Sequence, residues 1–440
     1  MGNYAWLEFV TARQQLALRL SDPGNVFWTD AENGLYVQKA LRMFNALTFT
    51  WKTDFVYNSS TLWNSLGLLA GSPRLRTLTD TSSYTMMEYH LLEPPTGSAW
   101  TGTTQFNITD LSTALQHRRD EMLQVSNCNQ SLLSGIPLTP NTRRTTLPDT
   151  VIDVERVRYI RVDSSVNTLY RDDTVAQEFF QAPLFQLNPG NPQTFMLSSE
   201  PPLSWDVDIP PAQPGTYEAV VLESGAPFNP PAVTLLGIPD DFAWVAEWGA
   251  LADLLGNESE ATDRERASYC LRRYQDGLNL LLKTPWVMLG LVNGVSATVD
   301  SIAAMDRYMP EWDSNPSNFG PVIVIGGIDF LAAPTSSGIG VTVLGNAPVP
   351  VANTDFVQVS RSNWDIVLDL AQSLACFKMG GAEFQQALEL ESRAVQACAA
   401  ENSRLKSTGS FSDILVQRGQ AQDRNQERYS TAAAARAGGR

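Results

Sequence analysis

The chain has 440 residues, of which 43% are hydrophobic and 18% are charged, a composition typical of a globular protein with two or three domains. Its formal net charge of −16 argues against a protein that holds nucleic acid by its phosphates. No apolar run approaches the roughly 20 residues that a membrane span needs, and the N-terminus lacks a secretory signal pattern, so we expect synthesis in a cytoplasm and no membrane partner.

The first 127 residues are predicted to be mostly helical. Helices are expected at 6–20, 30–48, 82–92 and 108–125, with one strand between 49 and 57. The turn Asp22-Pro23-Gly24-Asn25 ends the first helix, because proline cannot continue it and Gly and Asn tolerate turn dihedrals. The second helix carries apolar side chains on more than one face, which is typical of a helix packed against several neighbours.

Thr29 is predicted to begin the second helix as part of a capping box. In that arrangement the Thr29 hydroxyl accepts the N–H of Glu32, and the Glu32 carboxylate accepts the N–H of Thr29. Because both bonds are local, the start of this helix is well specified by the sequence.

Beyond residue 127 the pattern changes to strands followed by helices. Residues 128–150 are rich in Ser, Thr, Asn and Pro and are predicted to be a linker. Short strands then follow at 151–162, 193–198, 203–209 and 216–222, and helices at 240–255 and 261–282 form a hairpin. The same order recurs, with strands at 321–330 and 338–344 and helices at 362–379 and 382–405.

Sliding the chain so that Leu251 lies on Leu374 sets the two helical hairpins in register. This match favours an ancient duplication of one β-then-hairpin unit, with two similar insertions as the alternative. The predicted fold class is therefore α+β: a mostly helical N-terminal bundle, two short antiparallel β units, each followed by a helical hairpin, and a C-terminal arm. The predicted boundaries are 1–127 for the helical domain, 128–150 for the linker, 151–285 and 286–405 for the two units, and 406–440 for the arm.

The C-terminal arm differs in charge from the rest of the chain. Residues 401–440 hold seven basic and four acidic residues, a local charge of +3 in a chain of −16. Gln, Ser, Ala and Gly dominate, which is typical of a segment that cannot build its own core. A small apolar cluster within it indicates binding to a partner. The residues predicted to do so are Phe411, Ile414, Leu415, Arg418, Arg424, Arg428 and Tyr429.

The sequence offers little for catalysis or metal binding. Its two histidines, His90 and His117, are too few for a zinc cluster, and His90 is best interpreted as a packed helical residue. The four cysteines form no C-x-x-C pair, which favours buried free thiols over disulfides. The glycines near 326 and 340 lack the Lys-Ser/Thr of a phosphate loop and are predicted to be turns. We therefore expect no enzyme activity, no cofactor and no metal.

Acidic pairs and aromatic residues leave one alternative from another class, a carbohydrate-binding or carbohydrate-degrading protein. The pairs Asp206/Asp208 and Asp240/Asp241 have the composition of a glycosidase pair, but acidic pairs are frequent in a chain with 47 acids. The aromatic residues that would line a sugar platform are more simply explained as core. They are Trp205, Tyr217, Phe242, Trp244, Trp248 and Trp286.

Two stretches carry a resemblance to a known family. The motif D-P-x-x-x-F-W-T-D-A-E begins at Asp22 and is followed by the run Ala-Leu-Arg-Met-Phe-Asn-Ala-Leu-Thr at 40–48. This part of the chain resembles the N-terminal part of head-to-tail adaptor (connector or neck) proteins of tailed bacteriophages. A second stretch, 248–256 followed by 269–277, is similar to later helices of the same proteins. The two matches cover about a quarter of the chain, and their motifs are of moderate specificity.

The resemblance implies a structural virion protein that forms a homo-oligomeric ring of twelve copies. The ring would bind the portal protein on one side and a downstream tail or nozzle protein on the other, and DNA would pass through it without sequence-specific binding. The expected location is the neck of the virion, assembled in the host cytoplasm. An acidic ring agrees with this role because it repels passing DNA. Another tail-tube or nozzle component is the closest alternative.

Overall fold

The computed structural model describes residues 4–58, 77–92, 106–126, 128–163, 165–172, 189–198, 203–257, 263–284, 287–292, 295–296, 298–301, 322–326, 329–332 and 338–405. The chain divides into two compact units. The first unit comprises Met1–Val56, Pro285–Leu291 and Gly340–Arg440, and the second comprises Tyr57–Thr284 and Val292–Ile339.

The helices of the described residues match the predicted ones closely. They are α1 (Phe9–Arg19), α2 (Asp30–Thr48), α3 (Asp80–His90), α4 (Ile108–Ser126), α5 (Ala243–Gly256), α6 (Arg264–Lys283), α7 (Arg361–Phe377) and α8 (Gly381–Leu405). Within this described part, each helix is too short or too polar to cross a bilayer.

The strands are more numerous than predicted. They are β1 (Lys52–Asn58), β2 (Gln130–Leu138), β3 (Arg144–Thr146), β4 (Val151–Arg161), β5 (Val166–Arg171), β6 (Thr194–Ser198), β7 (Ser204–Val207), β8 (Gly215–Glu223), β9 (Val287–Val292), β10 (Val295–Ser296), β11 (Thr298–Ser301), β12 (Val322–Gly326), β13 (Asp329–Ala332) and β14 (Gly338–Leu344).

Seven strands of the second unit form a nearly closed, barrel-like sheet in the order β2-β8-β4-β5-β6-β7-β3. β5 and β6 run parallel, whereas the other neighbouring pairs are antiparallel. Alternate side chains point inside, as the two-residue period of a strand requires. The buried core residues are Leu138, Leu147, Val151, Val154, Val157, Tyr159, Leu169, Phe195, Trp205, Val207, Tyr217, Ala219 and Val221.

This sheet shows that the predicted fold class is wrong. The protein is a mixed α/β structure with a large barrel-like sheet, not a mostly helical bundle with two short antiparallel β units. Residues 128–150, predicted to be a linker, contribute β2 and β3 to the sheet. The composition argument counted Thr145 and Thr146 as loop residues, although their β-branched side chains also suit the edge strand β3, and it passed over the apolar residues Leu132, Leu133, Ile136 and Leu138 of β2. The four N-terminal helices do not form one bundle, because α1 and α2 belong to the first unit and α3 and α4 to the second.

A smaller sheet in the second unit contains β11, β12 and β13. β12 runs parallel to β11 and antiparallel to β13, which places Gly326 opposite Asp329 at the end of a hairpin. Gly326 is thus the last residue of β12, next to the hairpin connection, whereas Gly338 and Gly340 lie in β14, so the prediction of turns is wrong for the glycines near 340.

In the first unit, α2 packs against α1, α7 and α8. Its side chains are buried on several faces, which confirms the prediction of a helix with several neighbours. The buried apolar residues of α2 are Tyr36, Val37, Ala40, Leu41, Met43, Phe44 and Ala46. In the second unit, α4 occupies the same place and packs against α3, α5 and α6.

The two units share one arrangement of elements. α1 and α3 have 11 residues each, and α2 and α4 have 19 residues each. In each unit the strand after this helix pair, β1 or β2, lies beside the last strand before the hairpin, β14 or β8. That strand lies in turn beside β9 or β4.

Backbone hydrogen bonds between elements are matched as well. In the first unit, Phe9 N–H donates to Asp355, Val357 N–H to Leu7 and Gly345 N–H to Trp51. The corresponding donors in the second unit are Asp80, which binds Thr234, Leu236, which binds Leu78, and Glu223, which binds Asn129. The arrangement common to both units therefore includes a helix pair before the strands as well as the hairpin after them. In sequence, the second unit interrupts the first twice, with Tyr57–Thr284 between β1 and β9 and Val292–Ile339 between β9 and most of β14.

Candidate functional site

Asp22 builds the turn between α1 and α2 with its side chain. Its carboxylate accepts the N–H groups of Val26 at 2.9 Å, Phe27 at 2.8 Å and Trp28 at 3.0 Å. These bonds, that from Trp28 first, lower the pKa of Asp22 because they stabilise its charged form. Ser21 and Asn25 have positive φ values of 57° and 51°. The turn is therefore built around a carboxylate that accepts three backbone N–H groups.

Glu32 takes a different partner from the predicted one. The Thr29 hydroxyl accepts the N–H of Glu32 at 3.2 Å, which confirms the first half of the predicted capping box. The Glu32 carboxylate does not return to Thr29. It accepts the hydroxyl of Tyr36 at 2.7 Å and the ammonium of Lys378 at 3.0 and 3.1 Å.

The Glu32–Lys378 ion pair is buried, with the two side chains 1% and 8% exposed. Lys378 also lies 4.5 Å from the centre of the Phe27 ring. A further bond runs from the indole N–H of Trp28 to the main-chain oxygen of Ala375 at 3.2 Å. The motif that carries the family resemblance thus joins the N-terminal helix pair to the α7–α8 hairpin of its own unit.

Three exposed apolar side chains lie around this junction, and we call them the apolar tip. They are Val26, which is 88% exposed, Phe27 at 43% and Met379 at 40%. The contact of Lys378 with Phe27 brings the α7–α8 turn beside the α1–α2 turn, so the tip stands at one end of the four helices. Exposed apolar side chains on a hydrogen-bonded turn are typical of a protein contact, because little conformational entropy is lost on binding.

The second stretch with a family resemblance forms the tightly packed α5–α6 hairpin. Gly277 of α6 allows this approach, since a Cβ there would lie 2.6 Å from Val245 Cγ2 and 2.9 Å from the Trp244 ring. Nearby, Arg118 of α4 pairs with Asp253 of α5. Like the motif of the first unit, this stretch is used for packing between helices.

The arm residues predicted to bind a partner, 411–429, lie outside the described residues, as does the whole range 406–440. Their role stays a prediction. Of the apolar tip, the sequence analysis singled out Phe27 as part of the motif, but not Val26 or Met379. Lys378 carried one weak signal, a cation at the C-cap of α7, where the helix dipole favours positive charge.

The histidines and cysteines occupy the positions expected of structural residues. His90 is fully buried and stacks on Trp248 with ring centres 5.3 Å apart, as the packed-histidine interpretation predicted. All four cysteines are free and buried, which confirms the preference for thiols over disulfides. Burial raises the pKa of Cys376 to about 11 and that of Cys398 to about 12.

The acidic pairs also serve the fold. Asp240 accepts the N–H groups of Thr77 and Leu78 at 2.7 and 3.0 Å, and Asp208 accepts the N–H of Gln193 at 3.0 Å. Asp206 pairs with Arg144 on the surface. Backbone N–H groups and an arginine thus bind the carboxylates of Asp206, Asp208 and Asp240.

The aromatic residues proposed for a sugar platform are core residues wherever the structure describes them. Trp205, Trp248 and Tyr217 are each at most 1% exposed, and Phe242 and Trp244 are also buried. Trp286 lies outside the described residues. The preference for core over platform is therefore confirmed for five of the six.

Across the described ranges, no group of three or more His, Cys, Asp or Glu side chains is arranged to hold a metal ion. Comparison with known proteins gives no further assignment. No family model matches the chain, and no curated protein matches it significantly.

Proposed function

We propose that this protein is a structural subunit of a tailed-phage virion, a head-to-tail adaptor that forms a ring between portal and tail and gives DNA a conduit. The observation that carries the proposal is the apolar tip. The Asp22 carboxylate accepts three hydrogen bonds that hold a turn on which Val26 is 88% exposed and Phe27, although it packs on Trp28 and Lys378, is still 43% exposed. Such a turn suits binding between proteins better than a reaction.

The charge of the chain supports the same role. A net charge of −16 repels the phosphates of passing DNA, so a ring of these subunits offers duplex DNA few sites at which to bind. The family resemblance supplies the ring of twelve copies, the portal and the downstream tail or nozzle protein as partners. It also supplies the neck of the virion as the location.

One observation favours the closest alternative, another tail-tube or nozzle component. The barrel-like sheet ends in two edge strands, β2 and β3, and edge strands of neighbouring copies can pair to build a tube wall. The adaptor remains preferred because the motif with the family resemblance lies in the helical junction of the first unit.

Negative-stain electron microscopy of the purified protein mixed with its portal protein tests the proposal. An adaptor gives rings seated on portals, a tube component gives extended tubes, and neither assembly would reject both virion roles. Val26→Asp should abolish ring formation while leaving the circular dichroism spectrum unchanged, because Val26 is 88% exposed. Val162→Asp is the matched control, because Val162 is 74% exposed in a turn of the second unit.

A further inference from the structure

Within the part of the chain that the structure describes, the barrel-like sheet is left open between two strands that are neighbours in sequence. β2 and β3 are joined by residues 139–143, yet β2 pairs with β8 and β3 pairs with β7. They therefore stand at the two ends of the strand order. We call the gap between Ile136–Leu138 and Arg144–Thr146 the seam. Each side of the seam is a sheet edge, which presents main-chain N–H and C=O groups that another strand can bind.

A cavity of about 240 Å³ lies in the seam. Ile136 and Leu138 of β2 form the apolar part of the cavity wall. Thr145 of β3 and Tyr217 of β8 line the rest of the cavity. The Tyr217 side chain is 1% exposed and its ring packs edge-on against Trp205. The Tyr217 hydroxyl has no hydrogen-bond partner among the described residues. The cavity therefore combines apolar walls with one buried hydroxyl that is free to bind.

The size of the cavity selects the kind of occupant. At about 240 Å³ it is smaller than the roughly 300–1,000 Å³ of typical small-molecule sites. It is large enough for one or two side chains of a peptide. Because both walls are strand edges, an extended peptide can bind through its main chain and place alternate side chains in the cavity.

We infer that the seam binds residues 411–416 of the C-terminal arm of a second copy as an added strand. The segment reads Phe-Ser-Asp-Ile-Leu-Val. In an extended chain Ser412, Ile414 and Val416 share one face. That face offers one hydroxyl and two β-branched apolar side chains, which match the Tyr217 hydroxyl and the apolar walls of the cavity.

Charge and symmetry favour a second copy as the donor. Residues 401–440 carry +3 whereas the whole chain carries −16, so the arm is attracted to the body of a neighbour. If each copy donates one strand and accepts one, the contacts are head-to-tail, and they fill each seam in a ring when the rotation between copies closes. The choice of a second copy rests on the proposed ring, whereas binding of the peptide by the seam does not.

Disulfide trapping with two full-length variants tests the inference. Thr145→Cys places a thiol in the seam, and Ile414→Cys places one in the arm segment. The native cysteines are buried and so react slowly. Mixing the two variants under mild oxidant should give a heterodimer on a non-reducing gel, at least tenfold faster than Val162→Cys mixed with Ile414→Cys. Equal rates would overturn the inference. So would a Thr145→Cys/Ile414→Cys double variant in which the disulfide forms only within one chain, because the arm would then bind its own copy.

A synthetic peptide of residues 408–420 provides the second measurement. It should suppress heterodimer formation, and the same peptide with Ile414→Pro should not, because proline lacks the N–H that pairs with an edge. Equal effects of the two peptides would exclude strand addition. Heterodimers without rings on portals would support the seam but reject the adaptor role. Rings without heterodimers would reject the seam alone.

Discussion

Replacing Lys378 with Met should destabilise the first unit by about 3–5 kcal/mol, because it leaves the Glu32 carboxylate buried without its cation. The side chain of Glu32 is 1% exposed, so water cannot substitute for the lost ammonium. The Tyr36 hydroxyl remains as a single hydrogen-bond donor at 2.7 Å, which reduces the loss without cancelling it.

A double-mutant cycle separates the ion pair from simple packing. Glu32→Gln removes the negative charge that Lys378 neutralises, so the double variant has no unpaired buried charge. Glu32→Gln/Lys378→Met should therefore be about 2 kcal/mol more stable than the sum of the two single changes predicts. Asp365→Asn is the control. Asp365 pairs with Arg19, but its side chain is 78% exposed, so this ion pair should contribute less than about 1 kcal/mol.

The assay must report on the first unit alone, since a chain with two units need not unfold in one step. Hydrogen exchange of peptides from α2 and α7, followed by mass spectrometry, gives the local opening free energy. At roughly 2–4 °C per kcal/mol, the melting transition of this unit should fall by about 10 °C in Lys378→Met. A cost below about 1 kcal/mol, or strictly additive effects in the cycle, would refute the reasoning.

Three further predictions concern the turn, the hairpin and the thiols. Because the folded pKa of Asp22 is lowered, the stability it contributes is present above its ordinary value of 3.8 and is lost as pH falls through the folded pKa. Wild type and Asp22→Asn should therefore differ in melting temperature at pH 6, and the difference should shrink as pH falls from 3.8 through the lowered folded pKa, whereas a constant difference would contradict this. Gly277→Ala should cost about 1–3 kcal/mol in urea unfolding because its Cβ would meet Val245 and Trp244, whereas Gly256→Ala, with its nearest neighbour at 3.8 Å, should be neutral or stabilising. A disulfide reagent at pH 8 should titrate four thiols in denaturant but react slowly with the native chain, and a fast native thiol would show that one cysteine is accessible.

Local signals in the sequence predicted the helices and their ends well. Pro23 and Thr29 act through bonds and dihedrals within a few residues, so the end of α1 and the start of α2 follow from the sequence. The burial of Trp205 and Trp248 could also be predicted, because large aromatic side chains in apolar patterns are usually core. The strands of 128–150 were missed because their Ser- and Thr-rich composition resembles that of a loop.

The sequence by itself determined where most helices begin and end and which of their faces are apolar. Only the tertiary structure decided which elements those faces meet: that α1 and α2 pack with α7 and α8, and that β2 and β3 leave a seam instead of pairing. It also decided that Glu32 pairs with Lys378, 346 residues away, instead of with Thr29. The physical reason is that hydrophobic periodicity specifies burial but not the partner, because burial is non-directional and the partner is chosen by packing across the whole chain.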